Sequence, residues 1–506
     1  MGKGLKQMNL LKKFFGVSSF IPKDGLRGSL PTSREAYKNL ARIAIPSVCE
    51  MVLISLIGSI DTMMVGGIGT EAIAAVGLVG QPRMLMLCIF FALNTGVTAV
   101  IARRKGEGRK EVANQTMRTS ILIILALSIV MVAIGLTFSR DLMRMAGAKA
   151  DTIDDAETYF RIITMVIPFN ALSMAICAAQ RGTGNTKITM YVNIISNLVN
   201  VFLNWLLING VWIFPKLEVT GAAIATAVGI IVGCILALAS VFFSDREHAF
   251  LHLSFKDDWR FNKSAAQAVV KVGGNSMLEQ IALRIGFFLY ARLVAGLGTQ
   301  AYASHVVCMQ FLNLSFTFAD GIGVASTSLV GQMLGKERSD LSHIYGKTAQ
   351  RIAMVGSVVL ASTIVILRYP LVSLFTDDPT VMRLSANVML IVALFQPPQM
   401  LSIITSGALR GAGDTKYVAR VMLVCVAVMR PITAFLAITI IQKFFTPVYE
   451  VTTALASAEV MKFWLSYEAP QWALMGAWGA SFLDMTLRMA IMMRRFNEGK
   501  WHSIKV

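Results

Sequence analysis

Glu50 and Asp61 stand 11 residues apart in one apolar stretch, and Asn193, Asn197, Asn200 and Asn204 stand at i, i+4, i+7 and i+11 in another. Both spacings return a side chain to one face of a helix. A charge held in hydrocarbon costs about 2.5–3.5 kcal/mol on insertion scales, so acids kept there read as functional. Low dielectric favours the neutral carboxyl, which can then carry a proton; grouped with amide oxygens, the carboxylate can instead hold Na⁺. Two candidate ion-coupling sets follow. One joins Asp61 and Glu50 to Asn197, Asn200 and Asn204; the other joins Glu279 to Asp320. Na⁺ would sit at Asp61/Asn200/Asn204 or at Glu279/Asp320, and no other metal is expected. The plainer alternative is that the asparagines only bridge helices by hydrogen bonds.

Other chemistry is missing from the pattern. Cys49, Cys88, Cys177, Cys234, Cys308 and Cys425 lie in apolar runs without paired spacing, so neither a disulfide framework nor a zinc site is expected. The five histidines are mostly loop residues, and no nucleophile–base set appears. The chain does not read as an enzyme. The Gly-x-Gly stretches in Arg181–Lys187 and Arg410–Lys416 follow no strand, and there is no P-loop, so no nucleotide partner is expected. No cofactor is implied, and work must be driven by an ion gradient, Na⁺ or H⁺, or by the substrate itself.

These side chains need membrane helices to hold them. Of 506 residues, 55% are hydrophobic and only 15% charged, with a mean hydropathy of +0.63. That leaves too little polar surface for a soluble protein of this size. Twelve stretches reach the roughly 20 apolar residues that a crossing needs: 40–64, 72–102, 117–138, 157–179, 187–209, 219–243, 266–296, 302–334, 348–367, 381–408, 417–441 and 470–493. Barrel-type alternation is absent. The fold expected is an all-α integral membrane protein with the bilayer as its partner. The net charge of +18 does not point to nucleic acid, because the basic residues are scattered between apolar runs. Of 47 Lys and Arg, 34 fall on the side of the two termini and nine on the other. Both termini are therefore expected in the cytoplasm. Residues 1–36 lack a cleavable signal pattern, and Leu5–Phe15 reads either as a basic amphipathic surface helix or as a disordered tail.

The chain is written twice. Shifted by 229 positions without a gap, residues 46–187 align with 275–416 and share 28 identities over 142 positions. Glu50 meets Glu279, Pro168 meets Pro397, and Arg181-Gly182-Thr183-Gly184 meets Arg410-Gly411-Ala412-Gly413. Later the offset becomes 255, which places the extra residues of the second half in a 442–469 loop. Six spans per copy give parallel repeats, two six-helix bundles related by a pseudo-two-fold axis along the membrane normal, with the working site between them. The divisions expected are a basic segment at 1–36, an N-terminal lobe at 37–245, a cytoplasmic linker at 246–265, a C-terminal lobe at 266–495 and a tail at 496–506. Two similar bundles rocking about that axis make an alternating-access transporter.

The copies differ where chemistry is concerned. Asp61 becomes Tyr290, and the four amides become Met422, Val426, Met429 and Thr433, with Arg430 beside them. Arg284 and Arg292 also lie within a span. These cations pair with Glu279 or Asp320, or else face an anionic ligand. Tyr290, Arg284, Arg430 and Asn193 are the residues expected to line a substrate cavity.

As a set, Ile60-Asp61-Thr62-Met63-Met64-Val65-Gly66 with Gly69, Leu329-Val330-Gly331-Gln332, and the paired Arg-Gly-x-Gly turns resemble the multidrug and toxic compound extrusion (MATE) family over residues 37–495. The resemblance implies export of organic, often cationic and amphipathic compounds in exchange for Na⁺ or H⁺. It matches the family's acid to Asp61 and its polar positions to Asn200 and Asn204. Some members carry Asp where Asn204 stands, and in others the acid of the seventh span sits about one turn beyond Glu279. The expected protein is a monomeric plasma (inner) membrane antiporter of small molecules. A lipid-linked precursor flippase of the same superfamily and a non-transporting membrane scaffold are the alternatives.

Overall fold

Thr32 starts the first membrane helix by a capping box. Its hydroxyl accepts from the Glu35 N–H, and the Glu35 carboxylate accepts from the Thr32 N–H at 2.9 Å. Such a cap contributes about 0.5–2 kcal/mol. A computed structural model describes residues 16–17, 20, 27–68, 70–149, 152–211, 215–245, 249–452 and 469–504. Leu5–Phe15 lies outside them.

The N-terminal lobe is built from α1 (Ser33–Gly66), α2 (Thr70–Gly106), α3 (Lys110–Thr137), the short α4 (Ser139–Met145), α5 (Ile153–Met165), α6 (Ile167–Gly182), α7 (Thr186–Asn209) and α8 (Glu218–Phe242). The C-terminal lobe holds α9 (Lys263–Ala295), α10 (Thr299–Gly335), α11 (Ser339–Ser373), α12 (Pro379–Gly411), α13 (Thr415–Met422), a π-helical segment (Leu423–Met429), α14 (Arg430–Thr452) and α15 (Ala469–Asn497). Among the described residues every regular element is helical. Nine of them are long and apolar enough to cross a membrane, counting α13–α14 as one, and the α5–α6 pair, bent by 48°, is a tenth. The helices α9 and α15, 33 and 29 residues long, complete the twelve; both carry charged residues that lower their apolarity.

Matching prolines sit in unlike spans. Pro168, in the first turn of α6, sits just past the break at Val166, whereas its repeat mate Pro397 lies inside a continuous α12. The helix α14 runs on to Thr452, into the stretch expected as a 442–469 loop, of which 453–468 lie outside the described residues. The linker between lobes is anchored rather than free: Leu251 and Leu253 are buried, and the His252 N–H donates to Asn114 Oδ1 on α3 at 2.9 Å.

The lobes meet through α2 against α9 and, by the dyad, α10 against α1, with α2 and α10 side by side between them. Near the end that holds the start of α1 and the end of α15, the backbones touch. A Cβ on Gly106 would lie 2.0 Å from Gln332 O, and one on Gly335 would lie 2.2 Å from Arg103 O. Gly96 against Val269 O, Gly273 against Ala92 O and Gly321 against Val48 Cα fall in the same halves of their helices. In the far halves, Gly58, Gly77 and Gly80 have no neighbour within 4 Å of such a Cβ. Among the described residues, the close backbone contacts between the lobes are gathered at one end.

Candidate functional site

The repeated Arg-Gly-x-Gly turn has a reason for each residue. Gly184 and Gly413 end α6 and α12 in the left-handed region, with φ of +78° and +87°. There the Gly184 N–H returns to Arg181 O, and the Gly413 N–H to Arg410 O, at 2.9 Å each. Gly182 and Gly411 let the helix ends lie against α2 and α10, since a Cβ would come within 2.7 Å of Thr98 O and 2.2 Å of Thr327 O. The arginine then reaches back into its lobe. Arg181 Nη1 donates to Glu50 Oε1 at 3.2 Å, and Arg410 donates to both oxygens of Glu279, the Nε bond being 3.2 Å. Both acids are 1% exposed.

Matching positions thus carry matching ion pairs, yet their surroundings differ. Glu50 also accepts from Thr189 Oγ1 at 2.7 Å and Asn193 Nδ2 at 2.6 Å. Their repeat mates Val418 and Met422 have nothing to donate, and among the described residues only Arg410 donates to Glu279. Asp320 is exposed on α10, within electrostatic reach of Arg410 and Glu279.

A second cluster lies along α1 and α7. The Asn204 amide donates to Asp61, which is half-buried. With its amide turned to satisfy both ends, Asn200 donates to Asp61 Oδ1 at 3.1 Å and accepts from Thr226 N and Oγ1 at 3.1 Å. Asn204 is 1% exposed, and its Oδ1 has no hydrogen-bond partner among the described residues. Arg83 and Tyr159 are within electrostatic reach of Asp61. Carboxylate, amide and hydroxyl oxygens gathered like this suit a proton or a hard monovalent cation.

Sequence spacing brought Asp61, Asn200 and Asn204 together, and the structure holds them as one cluster with Thr226 added. Asn193 belongs to Glu50, and Asn197 donates into its own helix, to Asn193 O at 2.7 Å. The partners expected for the buried cations differ from those found. Glu279 is taken by Arg410, while Arg430 makes two bonds to Asp484, at 3.1 and 3.0 Å, with side chains 2% and 0% exposed. Arg284 and Arg292 are exposed on α9. Tyr290 and Arg430 do line a small cavity, with Phe287, Trp478, Ser481 and Met485. Sequence reasoning missed the Glu–Arg braces, although a signal existed: both pairs are separated by 131 residues.

Twelve spans in two homologous lobes, in close contact at one end and carrying buried ion pairs and an acid–amide cluster, define a membrane transporter. The sequence model of the MatE family matches residues 46–206 and again 276–436. The chain belongs to the MatE family. It is 26% identical over 469 residues to a probable multidrug resistance protein, NorM, of Thermotoga maritima, covering 92% of this chain and 93% of the relative. It is 26% identical over 381 residues to a multidrug resistance protein NorM of Vibrio vulnificus, covering 75% and 82%. Among solved structures it resembles a multidrug resistance MATE transporter in an outward-facing conformation, with a TM-score of 0.79 and 19% identity over 92% of this chain and 97% of that one.

Proposed function

We propose that this protein is a secondary active antiporter that exports small organic, amphipathic compounds, cationic ones among them, in exchange for Na⁺ or H⁺. The observation that carries the coupling role is the Asp61 cluster: a half-buried carboxylate held by Asn200 and Asn204, beside a buried Asn204 oxygen that no donor among the described residues satisfies. A buried acceptor without a donor is costly, and a bound cation completes it. A proton on Asp61 would reorder the same amides. Either event changes the charge on α1, the helix that α10 of the other lobe packs against, and so can bias rocking of the lobes. The excess of Lys and Arg on the terminal side supports termini in the cytoplasm of a plasma membrane, a seal facing the cytoplasm and a cleft facing outward. The protomer would act alone, with the Glu–Arg braces Glu50–Arg181 and Glu279–Arg410 and the exposed Asp320 adjusting the lobes around the cargo.

The test is efflux of a fluorescent organic cation from proteoliposomes under imposed Na⁺ or H⁺ gradients. Export driven by one gradient supports the reading and names the ion. Asp61→Asn should abolish that export while the variant still folds. Full export by it would remove Asp61 from the mechanism.

A further inference from the structure

Thr32 and Asn262 cap matching helices, α1 and α9, and the chain leading to each cap crosses to the other lobe. Before α9, Leu251 and Leu253 are buried in a cluster with Val97 of α2 and Met117 of α3. Asn114 Nδ2 donates to Phe250 O at 3.2 Å, and Arg118 pairs with Asp257 at 3.2 Å. Before α1, Val17 is 3% exposed in a cluster with Leu40 of α1, Leu329 of α10 and Ile344 of α11. The Arg27 N–H donates to Asp340 Oδ2 and its Nη1 to Glu337 O, at 3.3 Å each, and Arg338 Nη2 donates to Ser29 O at 3.0 Å. Gly28 allows that approach, since a Cβ there would lie 2.7 Å from Arg338 Nη1. Under the 229-residue shift Glu111 matches Asp340 and Arg118 matches Lys347, so the two crossings land on equivalent ground.

The crossings differ in necessity. The linker joins α8 to α9 and has to pass between the lobes. The chain ahead of α1 joins no two helices, so contact alone holds it across the interface. One hold is polar. The Asp340 side chain, fully buried, takes Arg338 Nε at 2.9 Å and Nη2 at 2.8 Å, and the Arg27 N–H adds to that pair. The other is apolar. The Val17 N–H donates to Ser33 Oγ in the first turn of α1 at 3.1 Å, while its side chain enters the cluster shared with the other lobe. Both holds lie at the end where Gly106 and Gly335 bring the backbones together, and where Ser328 and Gln332 of α10 donate to Gly182 O at 3.2 and 3.0 Å. Rocking that opens this end carries α1 away from α10 and α11. It draws Val17 from its cluster and the Arg27 N–H from Asp340. Exposing a buried valine is alone worth about tenfold or more in an equilibrium.

We propose that the chain carrying Val17, Arg27, Gly28 and Ser29 is a strap that holds the close-packed end shut, with Arg338 and Asp340 as the positioning residues that receive it. Its release precedes opening of that end. The inference rests on the transporter reading for the rocking that the strap opposes.

The experiment measures how fast a water-soluble maleimide labels one cysteine at each end of the purified full chain, with Cys49 and Cys88 replaced by alanine. Ser328→Cys reports the close-packed end, where Ser328 is fully buried. Asn313→Cys reports the far half: Asn313 is exposed on the face of α10 that carries Asp320, two turns away. Val17→Asn, which puts an amide in the apolar cluster, should speed labelling at 328 about tenfold and slow it at 313. Arg27→Pro removes both Arg27 donors from an exposed position and should shift the two rates the same way, several-fold. It carries the test if Val17→Asn fails to fold. Faster labelling at both ends would show a strap that only stabilises the fold, and unchanged rates in both variants would show no strap; either result overturns the proposal. Organic-cation efflux by the wild type separates the two readings. Ion-driven export with unshifted labelling leaves the transporter and removes the strap, and opposed shifts without export do the reverse.

Discussion

Arg181 and Arg410 occupy matching positions, and removing the second should cost about twice as much as removing the first. Their burial is nearly the same, 18% and 22% exposed, and each serves a glutamate that is 1% exposed. What differs is the support left behind. In Arg410→Met, Glu279 keeps no donor at the positions of Val418 and Met422, and Asp320 also loses its neighbouring cation. Glu279 then has no hydrogen-bond donor among the described residues, with Arg488 only within electrostatic reach, and a buried charge stripped of its hydrogen-bonded partner costs about 3–5 kcal/mol. In Arg181→Met, Glu50 loses one bond of 3.2 Å but retains Thr189 at 2.7 Å and Asn193 at 2.6 Å. Loss of one hydrogen bond to a charged group costs about 1.5–3 kcal/mol. The double variant Glu279→Gln/Arg410→Met removes both charges and should recover most of the loss, because replacing both members of a buried pair is often neutral. Unfolding in mixed micelles, followed by circular dichroism for the wild type and the three variants, measures each difference. Equal losses for the two arginine variants, or a double variant no better than Arg410→Met, would refute the claim that local donors decide how far each brace matters.

Further expectations follow from other contacts. Gly106→Ala puts a methyl where Gln332 O lies 2.0 Å away, so the close-packed end should part and export should fall at least tenfold; labelling of cysteines introduced at that end should increase, with Gly77→Ala, which meets nothing within 4 Å, as the silent control. Gly184→Ala and Gly413→Ala force left-handed backbone on an alanine and should each cost about 1–2 kcal/mol in the same unfolding assay. Trp501 is fully buried, stacks on Phe496 with ring centroids 4.9 Å apart and donates to Phe496 O at 2.8 Å; Trp501→Ala should therefore cost about 3–5 kcal/mol, read as a lower thermal midpoint, without changing which ion drives export.

The scaffold could be read from the sequence because its causes are local or repeated. Apolar length sets the spans, and an ungapped 229-residue shift sets the two lobes. The Asp61 cluster was readable because Asn200 and Asn204 share a helical face, and span 5 follows span 1 on the same lobe. Thr226 was not, since a single threonine in an apolar run carries no periodic signal; only packing of α8 on α7 brings its hydroxyl to Asn200. The partners of the buried cations were hidden for a related reason. Arg430 and Asp484 lie 54 residues apart across the stretch that breaks the repeat, so no matching pair in the first lobe advertises them. Arg181 and Glu50 had such a match, but joining them requires knowing that the end of α6 returns to the middle of α1.

The two lobes share a frame and differ in what it encloses. The Thr98 hydroxyl donates to Ala178 O, and at the matching place the Thr327 hydroxyl donates to Gly407 O; with the glycine contacts and the Glu–Arg braces, these bonds hold α6 on α2 and α12 on α10 in the same way. Such close backbone contacts tolerate almost no substitution, so they persist in both copies. The faces of α7 and of the α13–α14 span carry no such restriction. In the first lobe that face offers amides and hydroxyls around an acid, donors and acceptors that suit a cation or a proton. In the second, a π-helical interruption and Arg430, paired with Asp484, replace them. On the antiporter reading proposed above, a dyad frame with unlike linings would let the lobes differ in what they bind while moving together. If the lobes move as one, occupancy at Asp61 must shift the C-terminal lobe as well. Labelling of a cysteine introduced in the C-terminal lobe, compared between the wild type and Asp61→Asn, tests this directly, and identical labelling at every Na⁺ concentration and pH would mean that the lobes respond separately.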